Sequence, residues 1–276
     1  MDAPSPFAAH LFCHRHEVLD AERLAALRKA PVLWRGQPLP AAQLKHVDDQ
    51  TFAALITVLA AIQTAGLEEF DFSAWGVIGA PRFIGRAGLE PHIRRFMAEG
   101  PWSVTPHAIP HRCLHSPSGL ISQLLGWHGA NIGAGGGRNG AGEALLAALA
   151  CLTPETAGLW LVLSAYDPER LPDNVPAAPA WQLHVLALAL TPTPMPTTIG
   201  CFEVVPHPQV GASLEAPDLL QQLAAAFSTP DATPRTWRAG ADLGVRWSSR
   251  VNTRHDPPHD DTARAGRLAR SKETAS

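Results

Sequence analysis

Segments with helical periodicity alternate along this chain with short runs that are apolar throughout. In the first periodic segment, apolar side chains recur at intervals of three and four residues, at Phe52, Leu55, Ile56, Leu59 and Ile62. The run 75–79 follows and has the composition of a strand that is buried on both faces. The same order returns with a helix over 142–152 and a strand over 159–163. The alternation predicts an α/β fold in which helices cover a mixed β-sheet.

Weaker patterns extend this arrangement in both directions. Helices are predicted over 20–29, 89–98, 117–125 and 217–227, and strands over 32–34, 181–190, 201–205 and 243–247. Before residue 20 the pattern indicates no element. The chain is therefore divided into a weakly specified N-terminal segment (1–48), a core domain (49–190), an extension of the same domain (191–249) and a polar tail (250–276) that is expected to be disordered.

Composition narrows the class of partner. Of the 276 residues, 46% are hydrophobic and 17% are charged, and the net charge of −3 offers no basic surface for nucleic acid. No apolar run approaches the roughly 20 residues that cross a bilayer, and no secretory signal precedes the first elements. We therefore predict a cytoplasmic protein without a membrane helix. Its four scattered cysteines are expected to be reduced: Cys13, Cys113, Cys151 and Cys201.

Residues 102–163 contain a distinctive order of parts. A loop with two prolines leads to the helix at 117–125, then to the turn 129–131, the short run 132–136 and an Ala-rich helix from Gly142. This order resembles the first half of a β-ketoacyl synthase, in which a turn and a short strand precede the cysteine nucleophile at the start of a long helix. Over residues 49–190 the resemblance implies a half of the thiolase-like fold.

The resemblance places the nucleophile at Arg138, or at Gly137 if the loop is one residue shorter, and neither residue can be acylated. A condensing enzyme needs a thiolate there, because the helix start lowers the thiol pKa and holds the oxyanion. We therefore expect no catalytic residue and a pseudoenzyme similar to chain length factors, with acyl transfer as the class of any activity. The resemblance also implies fatty-acid-like or polyketide biosynthesis and a dimer interface near 132–136. The expected partner is a β-ketoacyl synthase or an acyl carrier protein, and a homodimer is the further possibility.

The glycine-rich run 133–140 supports an alternative function. Gly135, Gly137 and Gly140 have the G-x-G-x-x-G spacing, and backbone N–H groups at a helix start attract anions. The alternative is an enzyme that binds a phosphate or a coenzyme A derivative at this helix start, through Gly135, Gly136, Gly137, Arg138 and Asn139. However, the preceding strand is short, and no acidic residue stands at a strand end about 20 residues on, as a dinucleotide site requires. No cofactor is predicted.

Other clusters of reactive side chains are interpreted as structural. Two sets of His and Cys lack the paired spacing of a zinc site, so no metal is predicted and their role stays open: His10, Cys13, His14 and His16, and His107, His111, Cys113 and His115. Ser116 and Ser118 stand next to His115, but no G-x-S-x-G elbow surrounds them, so a hydrolase is not expected. Asp167 and Glu169 follow a strand and are interpreted as solvated turn residues.

Overall fold

The computed structural model describes residues 7–104, 110–169, 180–206, 218–228, 233–240 and 242–250. The strands in this part of the chain are β1 (Ala8–Leu19), β2 (Leu33–Trp34), β3 (Gln37–Pro38), β4 (Gly76–Pro81), β5 (Asn131–Gly133), β6 (Leu159–Asp167), β7 (Gln182–Thr191), β8 (Gly200–Pro206), β9 (Arg235–Arg238) and β10 (Leu243–Ser249). The helices are α1 (Ala21–Lys29), α2 (Ala41–Leu44), α3 (Asp49–Thr64), α4 (Arg86–Glu99), α5 (Ser116–Leu125), α6 (Gly140–Cys151) and α7 (Asp218–Ser228), with a 3-10 turn at Pro101–Ser103. The predicted tail lies outside the described residues from position 251 onward.

One large sheet organises these elements, with the strand order β5-β4-β6-β7-β1-β8-β10-β9. Strand β4 is parallel to β5 and to β6, whereas every other neighbouring pair in this sheet is antiparallel. Strands β2 and β3 form a separate hairpin. The sheet is mixed, as predicted. We call β5, β4 and β6 the parallel part and β7, β1, β8, β10 and β9 the antiparallel part.

Helices cover both faces of the sheet. On one face, α6 and α7 bury side chains such as Leu145 and Leu223 against the strands. On the other face, α1, α3 and α5 bury side chains such as Phe52 and Ile121. Strands β6 and β7 lie between the two layers, so almost all of their residues are buried. This two-sided burial explains why their sequences are continuously apolar.

Strand β1 lies in the middle of the sheet, between β7 and β8, although the sequence pattern indicates no element there. A bulge between Leu11 and Cys13 shifts its register against β7. Ala9 and Leu11 consequently belong to one core cluster, and Phe12 and Cys13 to the other. The alternation by which a strand is identified is interrupted at the bulge. The N-terminal segment therefore contributes a central strand that its sequence conceals.

From residue 49 onward, the predicted helices and strands are confirmed apart from shifts of a few residues at their ends. The predicted helix at 20–29 and the predicted strand at 32–34 are also present, as α1 and β2. Strands β3 and β9 and helix α2 were not predicted. Within the described residues, no helix has both the length and the hydropathy that crossing a bilayer requires.

Candidate functional site

The glycine-rich run forms a tight turn between β5 and α6. Gly135 has a φ angle of 69°, in the left-handed region that favours glycine. A Cβ at Gly135 would lie 2.5 Å from the carbonyl oxygen of Gly140, so the turn closes against the first residue of the helix. The close approach of these two backbones accounts for the glycine at position 135.

The position where the resemblance places a nucleophile is exposed and carries no thiol. Gly137, Arg138 and Asn139 are exposed and directly precede Gly140, where α6 begins. Cys151 is the last residue of the same helix, which places it about 16 Å away along the helix axis at 1.5 Å per residue. The structure therefore has a helix start at this position, and the turn before it contains no cysteine.

Two of the other thiols are poor nucleophiles. Burial raises the pKa of Cys13 to about 12, and burial together with the carboxylate of Glu203 raises the pKa of Cys201 to about 11. A thiol reacts as the thiolate, so neither group is suited to covalent catalysis near neutral pH. Cys113 lies in the loop before α5, with its Sγ 3.4 Å from the hydroxyl oxygen of Ser116.

A cavity of about 250 Å³ opens where β4 and β6 end, at the edge where α/β sheets commonly bind ligands. Its walls come from the first turn of α3, the residue pair after β4, the first turn of α4, the loop before α5 and the end of β6. We call it the arginine cavity, because three arginines line it together with three carboxylates: Arg82, Arg86 and Arg112, with Asp48, Asp49 and Glu169. The described lining contains neither cysteine nor serine.

Gln50, buried in the first turn of α3, joins the elements that form the arginine cavity. Its side-chain amide donates a hydrogen bond to the carbonyl oxygen of Arg82 (3.1 Å) and accepts one from the hydroxyl of Ser164 (2.9 Å). Its backbone N–H donates to Oδ1 of Asp48, the residue that caps the helix. These bonds hold the start of α3 against the ends of β4 and β6.

Glu169 joins two of the arginines, which corrects its interpretation as a solvated turn residue. Its side chain is 22% exposed, with Oε1 lying 3.0 Å from Nη1 of Arg86 and Oε2 lying 3.7 Å from Nη2 of Arg82. Asp167, in contrast, is exposed. Both guanidinium groups also lie over the ring of Phe83, 5.3 Å and 5.0 Å from its centroid. The position of Glu169 depends on arginines that are distant from it in sequence.

Arg112 reaches the arginine cavity from the loop before α5. Its Nη1 lies 2.8 Å from Nε2 of His92, and it forms no ion pair with a carboxylate of the described residues. The loop passes close to the residue before α4, where a Cβ at Gly85 would lie 2.5 Å from the carbonyl oxygen of Arg112. A glycine at position 85 therefore allows the loop to bring Arg112 to the cavity.

The predicted ligand residues of the glycine-rich turn are not brought into the arginine cavity. Residues 135–139 are absent from its described lining. The two features are neighbours, however, because the backbone N–H of Phe83 donates to the carbonyl oxygen of Gly136 (2.9 Å). The sequence patterns missed the cavity, since it is assembled from separate segments. The one local signal of the cavity is the group Arg82, Phe83 and Gly85. Together with the strand at 75–79, this group resembles the strand and glycine-rich turn of a ketosynthase.

The His and Cys clusters form no metal site among the described residues, which exclude His107. Ser118 Oγ lies 3.3 Å from Nδ1 of His115, a contact that sequence order alone does not establish. Ser118 is fully buried, and its hydroxyl also donates to the carbonyl oxygen of His115 (3.2 Å), so this contact is a local bond at the start of α5. His16 stacks on His184 with ring centroids 5.6 Å apart, and burial lowers the pKa of both.

An apolar surface lies on α4 and the turn after it. Ile93, Phe96 and Met97 of α4 are exposed, and Trp102 in the 3-10 turn is 98% exposed. The three helical side chains have the spacing of a single helix face. We call these four residues the α4 patch. Contiguous apolar surface of this kind marks an interaction site on a folded protein.

Two solved structures have a similar fold. A chain from the complex of the ketosynthase ApeO with its chain length factor ApeC, from Xenorhabdus doucetiae, matches with a TM-score of 0.56 at 13% identity, over 87% of this chain and 99% of that chain. A chain from the AntDE:AntF complex, a type II polyketide synthase acyl-carrier protein with its ketosynthase, matches with a TM-score of 0.50 at 13% identity, over 75% of this chain and 70% of that chain. No protein-family model and no curated protein matches the sequence. The chain therefore has the thiolase-like fold of the ketosynthases.

Proposed function

We propose that this chain is a non-catalytic ketosynthase homologue of fatty-acid-like or polyketide biosynthesis, which pairs with an active condensing enzyme. The observation that carries the proposal is the turn before α6, where the resemblance places the nucleophile at Arg138 or Gly137 and residues 133–142 contain no cysteine. Without a thiolate at this helix start, the chain has no group there to accept an acyl chain from a carrier. Such a subunit would act through its partner, as the resemblance to chain length factors suggests.

The assemblies in which the similar folds were solved support a partner of this kind. One is a ketosynthase in complex with its chain length factor, and the other is a ketosynthase in complex with an acyl-carrier protein. We extend the first type of partner to this chain and keep an acyl carrier protein as the second candidate. An active condensing enzyme is favoured because the α4 patch is apolar.

Two surfaces are suited to a protein partner. The α4 patch offers apolar area, and β5 is an edge strand of the sheet. An edge strand presents backbone N–H and C=O groups with which another chain can pair. An interface near 132–136 stays a prediction. Because Ala134 packs against the core, a charge introduced there would also disturb folding, and the α4 patch is the cleaner target.

The test is co-expression of the full chain, carrying the only tag, with each condensing enzyme of its source organism in turn. We expect one of them to co-purify in a complex whose mass by light scattering equals the sum of the two chains. Met97→Glu places a charge in the α4 patch and should weaken this complex by about tenfold or more, because a charge buried in an interface without a partner is costly. Ala98→Glu adds the same charge to an exposed neighbouring position on α4 and is the matched control.

A second measurement tests the absence of catalysis separately. The chain alone is incubated with carrier protein that carries a malonyl group or an acyl group. It is then analysed by intact mass spectrometry. We expect no acyl adduct, because residues 133–142 contain no cysteine. An adduct mapped to those residues would contradict the non-catalytic assignment. Failure to assemble with any condensing enzyme or acyl carrier protein of the organism would contradict the pairing.

A further inference from the structure

The arginine cavity has no part in the pairing proposed above, and its charges indicate a small ligand. We propose that it binds a small dianion of the phosphate-monoester class, held by the guanidinium groups of Arg82, Arg86 and Arg112. This site differs from the helix start of the alternative function, because residues 133–142 do not contribute to the described lining. The proposal does not depend on the identity of any protein partner.

Arg82 supplies the first observation that indicates a ligand. Its side chain is only 10% exposed, and its buried Nε has no hydrogen-bond partner. The nearest carboxylate oxygen, on Glu169, is 3.7 Å from Nη2 and so lies beyond hydrogen-bond distance. A buried guanidinium donor without an acceptor is unfavourable. Because the Arg82 side chain lines the cavity, a phosphate bound there would offer acceptor oxygens to this guanidinium group.

The other two arginines approach the cavity from separate segments. Arg86 comes from the first turn of α4 and forms one ion pair, with Oε1 of Glu169. Arg112 comes from the loop before α5 and forms no ion pair with a described carboxylate. Guanidinium groups from three directions match the several oxygens of a phosphate group. A carboxylate offers two oxygens, and Glu169 already provides one carboxylate.

The remaining carboxylates of the lining are engaged elsewhere. Asp49 accepts a hydrogen bond from Nη2 of Arg28 (2.8 Å), a residue outside the described lining. Asp48 accepts from the backbone N–H of Gln50 (2.8 Å) and caps α3. The start of this 16-residue helix lies in the cavity wall, where the helix dipole adds positive potential. The cavity thus retains a field that attracts anions.

The test is isothermal titration of inorganic phosphate into the full chain at constant ionic strength. We expect saturable binding at one site per chain. Arg112→Gln should weaken phosphate binding by about tenfold or more, as expected when a hydrogen bond from a charged group is lost. Arg23→Gln removes an exposed arginine that is not part of the described lining, so it is the matched control and should leave the affinity unchanged. Circular dichroism verifies that each variant is folded.

Glu169→Gln separates ligand binding from a structural role of the cavity. The carboxylate of Glu169 competes with phosphate for Arg82 and Arg86, so its removal should make phosphate bind several-fold more tightly. If the ion pairs served folding alone, this variant would lose stability without a gain in affinity. The proposal would be overturned by the absence of saturable binding, by unchanged affinity in Arg112→Gln, or by tighter binding of malonate than of phosphate at matched ionic strength.

Discussion

The parallel and antiparallel parts of the sheet both contain buried polar atoms without hydrogen-bond partners, but in different surroundings. In and next to the parallel part, the atoms are Nε1 of Trp160 in β6 and Nε of Arg82, the residue after β4. The Arg82 side chain lines the arginine cavity together with two further arginines and a helix start. In the antiparallel part, the atoms are ring nitrogens of His16 and His184, which stack on each other. Arg82 therefore belongs to a cavity that an anion can enter, whereas Trp160, His16 and His184 line neither this cavity nor the one beside Trp34.

This difference shows that a buried polar atom without a hydrogen-bond partner indicates a ligand only where charged side chains and a cavity lie next to it. Burial lowers the pKa of His16 and of His184, so the fold favours their neutral forms and offers no charge to a ligand. Arg82 remains charged, because a guanidinium does not lose its proton in proteins. We therefore place the proposed anion site next to the parallel part and interpret His16 and His184 as structural residues.

The largest expected effect tests whether the two parts form one folding unit. Trp160 in β6 is fully buried and packs on Phe72 and Trp127, with ring centroids 5.8 Å and 6.2 Å away. Trp160→Ala should lower the free energy of unfolding by about 3–5 kcal/mol. Because β6 pairs with β4 on one side and with β7 on the other, both parts should unfold in one transition at lower urea concentration.

Trp247→Ala is the counterpart of this variant in the antiparallel part. Trp247 is buried in β10 and packs on Phe202 and Phe227, with centroids 4.8 Å and 4.9 Å away. We expect a loss of stability of similar size and again a single transition, followed by circular dichroism and hydrogen exchange. Two separate transitions in either variant would show that the parallel and antiparallel parts fold independently.

The next effect in size concerns the turn between β5 and α6. Gly135→Ala should cost about 2–4 kcal/mol, because it combines a left-handed φ with overpacking against Gly140. Gly137→Ala is the control from the same turn, since no atom lies within 4 Å of a Cβ built there. Its cost should stay within about 0.5 kcal/mol. Urea midpoints measure both, and a larger loss for Gly137→Ala would mean that the turn does not close against α6.

The two strands of the large sheet that the sequence conceals, β1 and β9, both lie in the antiparallel part, where β7, β8 and β10 were predicted. Helices α3 and α6 and strands β4 and β6 were predictable, because each carries its periodicity or apolar run within a short segment. Strand β1 pairs with β7, more than 160 positions away, and its bulge interrupts the alternation of its side chains. Strand β9 is four residues long with one buried residue, Trp237, so its pattern is too short to be recognised.

The candidate site shows the same limit. The prediction that Arg138 or Gly137 occupies the nucleophile position rests on counting from Asn131, which is possible because the turn, the short strand and the helix are consecutive in the chain. The arginine cavity could not be found in this way, since Arg82 and Glu169 are 87 positions apart and meet only when β4 and β6 pair. A carboxylate after a strand looks solvated in sequence, and its burial depends on which cations the fold brings to it.

The third largest change in stability is expected in the antiparallel part. Both ring nitrogens of His184 are buried without a hydrogen-bond partner among the described residues. His184→Leu replaces them with an apolar side chain of similar volume and should raise the free energy of unfolding by about 1 kcal/mol at pH 7. Urea unfolding measures this change. If the free energy of unfolding instead fell by a similar amount, the imidazole would make a favourable contact that an apolar group cannot replace.

The same variant should change the pH dependence of stability. Burial lowers the pKa of His184 below its usual 6.5, against an opposing effect of Asp167, so the unfolded chain takes up the proton first as pH falls. The stability of the wild type should therefore be complete above pH 6.5 and decrease below it. His184→Leu should lose part of this decrease and keep the parts due to the burial of His10, His14 and His16. Equal slopes for the two proteins between pH 7.5 and 5.5 would contradict this prediction.

The smallest effect is expected at an ion pair of the antiparallel part, Glu203 with Arg246, which allows a comparison with Glu169. The two residues face each other across β8 and β10, with Oε2 lying 2.6 Å from Nη2, and both side chains are partly exposed. Glu203→Gln should lower the free energy of unfolding by about 0.5 kcal/mol, and by less in high salt. Because Glu203 does not line the arginine cavity, phosphate affinity should stay at the wild-type value. If Glu203→Gln raises it as much as Glu169→Gln does, phosphate responds to overall charge, and anion binding does not belong to the parallel part.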